Sequence, residues 1–192
     1  MALTKPEVAS KALVMVGANQ ISSFDGSEIE KVVSRQIYET IVEDCIGAYY
    51  WDFASGSQQL VMVTGTTLVN FDNAFQLPTS PAPMTIESVR VNGVEKKYDI
   101  FEDKLFIDAN EENEVILDYT FRADESTWHP AFTMWVVLSL AEAYALSITR
   151  KEEIAEAFGK KAETQFAKAK ARVGKQPSNK AIRLTRLTSQ TR

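Results

Sequence analysis

Apolar residues recur at helical spacing near both ends of the chain and at strand spacing in between. Thr4-Lys5-Pro6-Glu7 has the form of a capping box with proline in the first turn. Behind it Val8, Ala12, Met15 and Val16 predict a helix that Gly17 or Asn19 stops. Ser27-Glu28-Ile29-Glu30 has the form of a second capping box. Ile29, Val32, Val33, Ile37, Ile41, Cys45 and Tyr49 follow as the apolar face of a longer helix. At 1.5 Å per residue, its ~22 residues span about 33 Å and end in the cluster Tyr49, Tyr50, Trp51, Phe53.

From Ser55 the pattern changes. Leu60–Val63 is a short apolar run between Gly56 and Gly65, which suits a strand. Phe71, Phe75 and Leu77 lead into a loop punctuated by Pro78, Pro81 and Pro83. Ile86–Val91, Asn92-Gly93 and Val94–Tyr98 read as a hairpin with a type I′ turn. Leu105–Ile107 predicts a further strand, and Val115, Leu117, Tyr119 and Phe121 alternate as a half-buried strand should. Helix returns at Pro130, with Phe132, Trp135, Val136, Ser139, Ala143 and Leu146 as its inward stripe. After a turn at Arg150–Glu153, Ile154, Phe158, Ala162, Phe166 (or Gln165), Ala169 and Val173 mark a last helix that Gly174 and Pro177 end.

The expected fold class is therefore α+β. An antiparallel helical bundle takes two helices from residues 1–54 and two from 126–173. An inserted small antiparallel β module occupies 55–125, and 174–192 form an extended C-terminal tail.

Composition narrows the function. The 192 residues are 45% hydrophobic and 24% charged, ordinary values for a globular chain. The longest apolar stretch, Trp135–Ala141, stops at Glu142, so no membrane span is expected. With one cysteine and one histidine, neither a disulfide framework nor a usual zinc site can be built. A soluble protein of a reducing compartment is the default. Residues 1–158 hold 11 Lys+Arg against 25 Asp+Glu, whereas 159–192 hold 10 against Glu163 alone. The first part carries −14 and the second +9. Such a tail is either a solvated terminus or a docking arm that orders against a partner.

Candidate chemistry is sparse. His129 stands where the N-cap of the Pro130 helix belongs, and Cys45 falls on an apolar stripe. The acid pairs Glu43/Asp44, Glu102/Asp103 and Glu111/Glu112 read as solvated faces and turns. Asp108, Asn110, Glu112 and Glu114 lack the glycine and spacing of an EF-hand loop. Trp51, Trp128 and Trp135 read as core residues. No hydrolase or nucleotide-binding motif occurs, so an enzyme is not expected and no cofactor or metal is called for.

The order of short motifs carries a resemblance. Ala12-Leu13, Val16-Gly17-Ala18, Ile21 and Ser22-Ser23-Phe24 precede a Tyr38-centred helix that closes on Trp51-Asp52-Phe53-Ala54. Phe75, Leu77-Pro78, the Val89-Arg90-Val91-Asn92-Gly93 hairpin, Tyr98 and Tyr119 follow, then two alanine-rich helices from Pro130 to Val173. In this order they resemble the head-to-tail adaptors of short-tailed bacteriophages, also called tail tubular protein A or head–tail connectors. Two positions depart from that pattern. Pro81 and Pro83 replace an acidic turn, and His129 replaces an aspartate before Pro130.

The resemblance implies a structural virion protein without catalytic residues, assembled in the host bacterial cytoplasm. It implies a dodecameric ring in the virion neck, between the portal protein and the tail nozzle or tail tube. Double-stranded DNA then passes through the lumen without specific binding. Ile182, Arg183, Leu184, Arg186 and Leu187 alternate apolar and basic side chains and are the expected portal-docking residues. Met84, Val94 and Phe101 are the expected tail contacts. The alternative is a nucleic-acid-binding module that uses the basic C-terminal segment.

Overall fold

The computed structural model describes residues 3–65 and 71–173, so the portal-docking residues Ile182, Arg183, Leu184, Arg186 and Leu187 lie outside the described residues. The described chain is a mixed α+β fold of four α-helices and two antiparallel sheets.

Helix α1, Lys5–Val16, begins as its capping box dictates: the Thr4 N–H donates to Glu7 Oε2 at 2.9 Å. It ends at Gly17, whose φ of 78° lets the Ala18 N–H return to the Leu13 carbonyl at 3.0 Å. Val8, Ala9, Ala12, Leu13 and Val16 are buried, whereas Met15, expected to point inward, is exposed.

Helix α2, Ile29–Gly47, is 19 residues long, about 28 Å, and starts one residue later than the second capping box proposes. That box does not form. Glu30 instead accepts from the Asn19 side chain at 2.7 Å and ties the start of α2 to the chain leaving α1. The buried line is Ser34, Tyr38, Val42, Cys45 and Ile46, one residue on from the expected stripe. This line places Tyr38 inside, with its ring 5.3 Å from that of Phe24 and its hydroxyl donating to Glu125. Val33, Ile37 and Ile41 are left half-buried, and Ile29 and Tyr49 are exposed.

The middle of the chain makes two four-stranded sheets. One contains β1 (Ser55–Gln59), β8 (Val115–Phe121), β4 (Pro83–Val91) and β5 (Val94–Glu95) in that order. The other contains β2 (Met62–Val63), β3 (Asn73–Gln76), β7 (Lys104–Ile107) and β6 (Asp99–Phe101). Phe75, Leu105 and Ile107 meet Val89, Val91, Val115 and Leu117 in one core shared by both sheets. Asn92 and Gly93, with φ of 50° and 80°, form the expected tight turn between Val91 and Val94. Strand β8 is buried on both faces, because its polar side is covered too. Asp118 pairs with Arg90 at 2.9 Å and accepts from Ser88 at 2.9 Å, and Thr120 donates to Glu87.

Strand β1 carries no apolar alternation and was not expected. Gly56 lies opposite Tyr119, and a Cβ there would stand 2.8 Å from the Tyr119 ring. The missing side chain is what lets the ring lie across the strand.

Helix α3, Pro130–Tyr144, is the centre of the helical part. It buries Ala131, Phe132, Trp135, Val136, Val137, Leu138, Leu140, Ala141 and Tyr144, on nearly every side, against α1, α2 and α4 (Glu152–Val173). Its last turns widen into a π-helical segment, Ala145–Thr149, and this shift leaves Leu146 exposed, not on the inward stripe. Arg150, at φ 54°, turns the chain into α4. Pro130–Thr149 is long and apolar enough, at a mean hydropathy of 1.6, to cross a membrane by length and composition. The uninterrupted run Trp135–Ala141 is shorter than this extent, 56% of which is buried inside the fold. Trp51, Phe53, Phe132, Trp135 and Phe166 form one aromatic cluster, with Trp135 stacked on Phe166 at 4.4 Å and Trp51 edge-on to Phe132 at 5.0 Å.

Candidate functional site

The segment that leaves β8 carries a connected polar cluster. The Asp124 carboxylate accepts the Ser126 N–H at 2.9 Å and closes a single turn, Glu125–Thr127. That turn points Glu125 inward, where it is only 3% exposed and accepts from the Tyr38 hydroxyl at 3.1 Å. Arg122 pairs with Glu125 and reaches Glu39 of α2 at 3.0 Å, while its guanidinium lies 5.5 Å from the centre of the Trp128 ring. Lys5 of α1 closes the cluster on Glu39. One arginine thus joins the sheets to α2 and to the approach to α3, and through Glu39 to α1.

The local electrostatics fit this tying role. Burial, then the Glu125 charge, pushes the Tyr38 phenol far above its ordinary value, so it donates and does not ionise. Burial raises Glu39, but hydrogen bonds and charge from Lys5 and Arg122 outweigh it and hold the carboxyl below the usual range. The same two carboxylates outweigh the burial of Arg122 and raise its guanidinium further.

His129 caps α3 as the sequence proposes: its Nδ1 accepts the Ala131 N–H at 3.1 Å. Cys45 is buried, and desolvation pushes its thiol up to about 12, so at neutral pH it is no thiolate nucleophile. The three tryptophans are all buried. Glu43/Asp44, Glu102/Asp103 and Glu111/Glu112 are exposed. No group of three or more His, Cys, Asp or Glu able to hold a metal ion occurs among the described residues.

An open groove of about 1170 Å³ runs between α1 and α3. Ile21, Trp128 and Val137 are buried at its base, whereas Val14, Met15 and Met134 on its rim are 48%, 41% and 43% exposed. Sequence reasoning missed it, because it assigned Met15 to the core and gave Met134 no role. The usable signal was Val14-Met15 together with Met134, apolar residues off their helices' inward stripes.

The expected tail contacts are all exposed: Met84 at 37%, Val94 at 64% and Phe101 at 54%. They do not form one patch. Val94 follows the Asn92-Gly93 turn, but Met84 sits at the other end of β4, about 23 Å of strand away. Phe101 lies on the second sheet, beside the turn to Lys104, with its ring against Phe106. The basic residues of α4 include exposed Lys160, Lys161 and Lys168, which border a shallow surface with Leu138, Thr164 and Gln165.

Compared with known proteins, the chain matches no family model and no curated protein.

Proposed function

We propose that this chain is a structural virion protein, a head-to-tail adaptor that forms a ring between the portal and the tail nozzle or tube of a short-tailed phage. In that reading the four helices act as an antiparallel bundle, and the two sheets project from one end of it. Copies associate into a dodecameric ring in the virion neck, through which the genome passes. Residues 174–192 dock on the portal, through Ile182, Arg183, Leu184, Arg186 and Leu187. Val94 and Phe101, with Met84 nearer the helices, face the tail.

The observation that carries this reading is the Arg122 joint with contact surfaces on either side of it. An adaptor holds two partners at a fixed spacing, so it needs separated apolar surfaces on one stiff body. The α1–α3 groove lies beside the joint, and the Val94 hairpin lies about 20 Å of strand beyond it. The motif order set out above supports the same reading. So does the −14 charge of residues 1–158, since a wall that does not displace phosphate counterions does not retard DNA. Heterologous side-by-side contacts close into rings when the rotation allows.

The test is assembly. The isolated protein is expected to be monomeric at micromolar concentration by light scattering, and to form rings when portal is added. Stable rings of the pure protein, or no association with portal, would overturn the proposal.

A second reading is a nucleic-acid-binding module using the basic C-terminal segment, and the exposed lysines of α4 favour it. Salt separates the two. Phosphate binding weakens steeply with ionic strength, whereas portal docking through Leu184 and Leu187 persists.

A further inference from the structure

We propose that the groove between α1 and α3 is the receptor for the chain's own C-terminal segment, residues 175–192. Single exposed apolar side chains are ordinary, but Val14, Met15 and Met134 ring one concavity with a buried apolar base. Two of the three are methionines, which adapt to irregular occupants.

The occupant follows from where the chain leaves the fold. Helix α4 runs antiparallel to α3: Gly159 lies against Glu142, Phe166 stacks on Trp135, and the Gln165 amide donates to the Ala131 carbonyl at 3.0 Å. Val173 is eight residues past Gln165, about 12 Å further, beyond the start of α3. That is the end at which Trp128 and Pro130 line the groove.

Length and chemistry agree with this exit. From Val173 to Ile182 the chain reaches up to about 30 Å, while the groove follows α1 from Thr4 to Met15, about 16 Å. Residues 175–192 carry Ile182, Leu184 and Leu187 for an apolar groove, five basic residues and no acid. Of the acids here Glu125 is already held by Arg122 and Tyr38, which leaves exposed Glu7 and the adjoining exposed Asp124 against one base, Lys11. A tethered segment also acts at high effective concentration, so modest contacts suffice. This inference does not depend on the adaptor reading: it concerns the free chain, and a portal that takes up the same segment would have to draw it out of the groove.

The test uses the full chain with Leu184 replaced by p-benzoylphenylalanine, irradiated at low and at high protein concentration. The expected product has monomer mass, forms in equal yield at both concentrations, and links position 184 to Met15 or Met134. Adding Val14→Lys and Met134→Lys, both at exposed positions, should lower that yield about fivefold or more with an unchanged circular dichroism spectrum, because the ammonium groups resist desolvation. A dimer-mass product that grows with concentration would assign the groove to a second copy. Crosslinks outside α1, α3 and the segments that line the groove, or a yield the lysines do not change, would also overturn the proposal.

Discussion

Arg122 Nε lies 3.0 Å from Glu39 Oε2, and this contact crosses from the end of the last strand to the middle of α2. The same guanidinium neutralises Glu125, which is almost fully buried. Replacing Arg122 with Met keeps much of the stem but strands that carboxylate. The expected loss is about 3 kcal/mol, the low end for breaking a buried pair, since Arg122 itself keeps some exposure. Urea denaturation measures it, and an unchanged midpoint would mean the joint is not a tie.

The His129 imidazole accepts the Ala131 N–H at the start of α3. Asn or Asp in its place should leave assembly intact and raise stability by up to about 1 kcal/mol, because both are better N-caps. Loss of function with an unchanged melting curve would assign the imidazole another role.

Gly56 leaves room for the Tyr119 ring. Gly56→Ala should cost about 1–3 kcal/mol by overpacking, readable as a lowered urea midpoint. Combining it with Tyr119→Leu should recover part of that loss, which a purely conformational effect at Gly56 would not allow.

Three buried groups make stability sensitive to alkali. Burial raises the Cys45 thiol from 9.0 to about 12 and the Tyr144 phenol from 10.0 to about 12, and it raises Tyr38 further. All three give up their protons more easily in the unfolded chain. Their contribution is therefore complete below about pH 9 and is lost progressively as pH rises toward 12. Melting temperatures at stepped pH should show this fall, and Tyr144→Phe should flatten it.

Deleting 175–192 should abolish stable attachment to portal while leaving the far-ultraviolet circular dichroism almost unchanged. Arg183→Glu with Arg186→Glu should weaken attachment nearly as much, because the carboxylates that pair with arginine would be repelled. Truncated rings that survive sedimentation on portals would place the anchor in the helices.

Much of this fold was legible in residue order. Thr4 and Glu7, Asn92-Gly93 and His129-Pro130 each announce a local geometry that depends only on neighbours in the chain, and each appears as expected. What escaped were features decided at a distance. Ser55–Gln59 has no strand signature of its own and is a strand because it pairs with β8. The buried line of α2 puts Tyr38 against Phe24 and Glu125, both distant in sequence, and Glu30 bonds Asn19 in place of its capping box. The Arg122 joint was equally hidden, because Arg122 and Glu39 are 83 residues apart. Tyr38 was noted only as the centre of a helix, not as a donor to Glu125.

The placement of α3 has a consequence for how the protein is made. Its 20-residue apolar extent, Pro130–Thr149, is covered by partners on both sides of it in sequence. During synthesis α1 and α2 leave the ribosome first and can shield one flank at once, but the α4 flank waits until residue 173 has emerged. In that interval the nascent chain shows one bare stripe of a helix with the length and hydropathy of a bilayer anchor. A chain cut short before Glu152 keeps that stripe for good, as a target for chaperones, proteases and lipid alike.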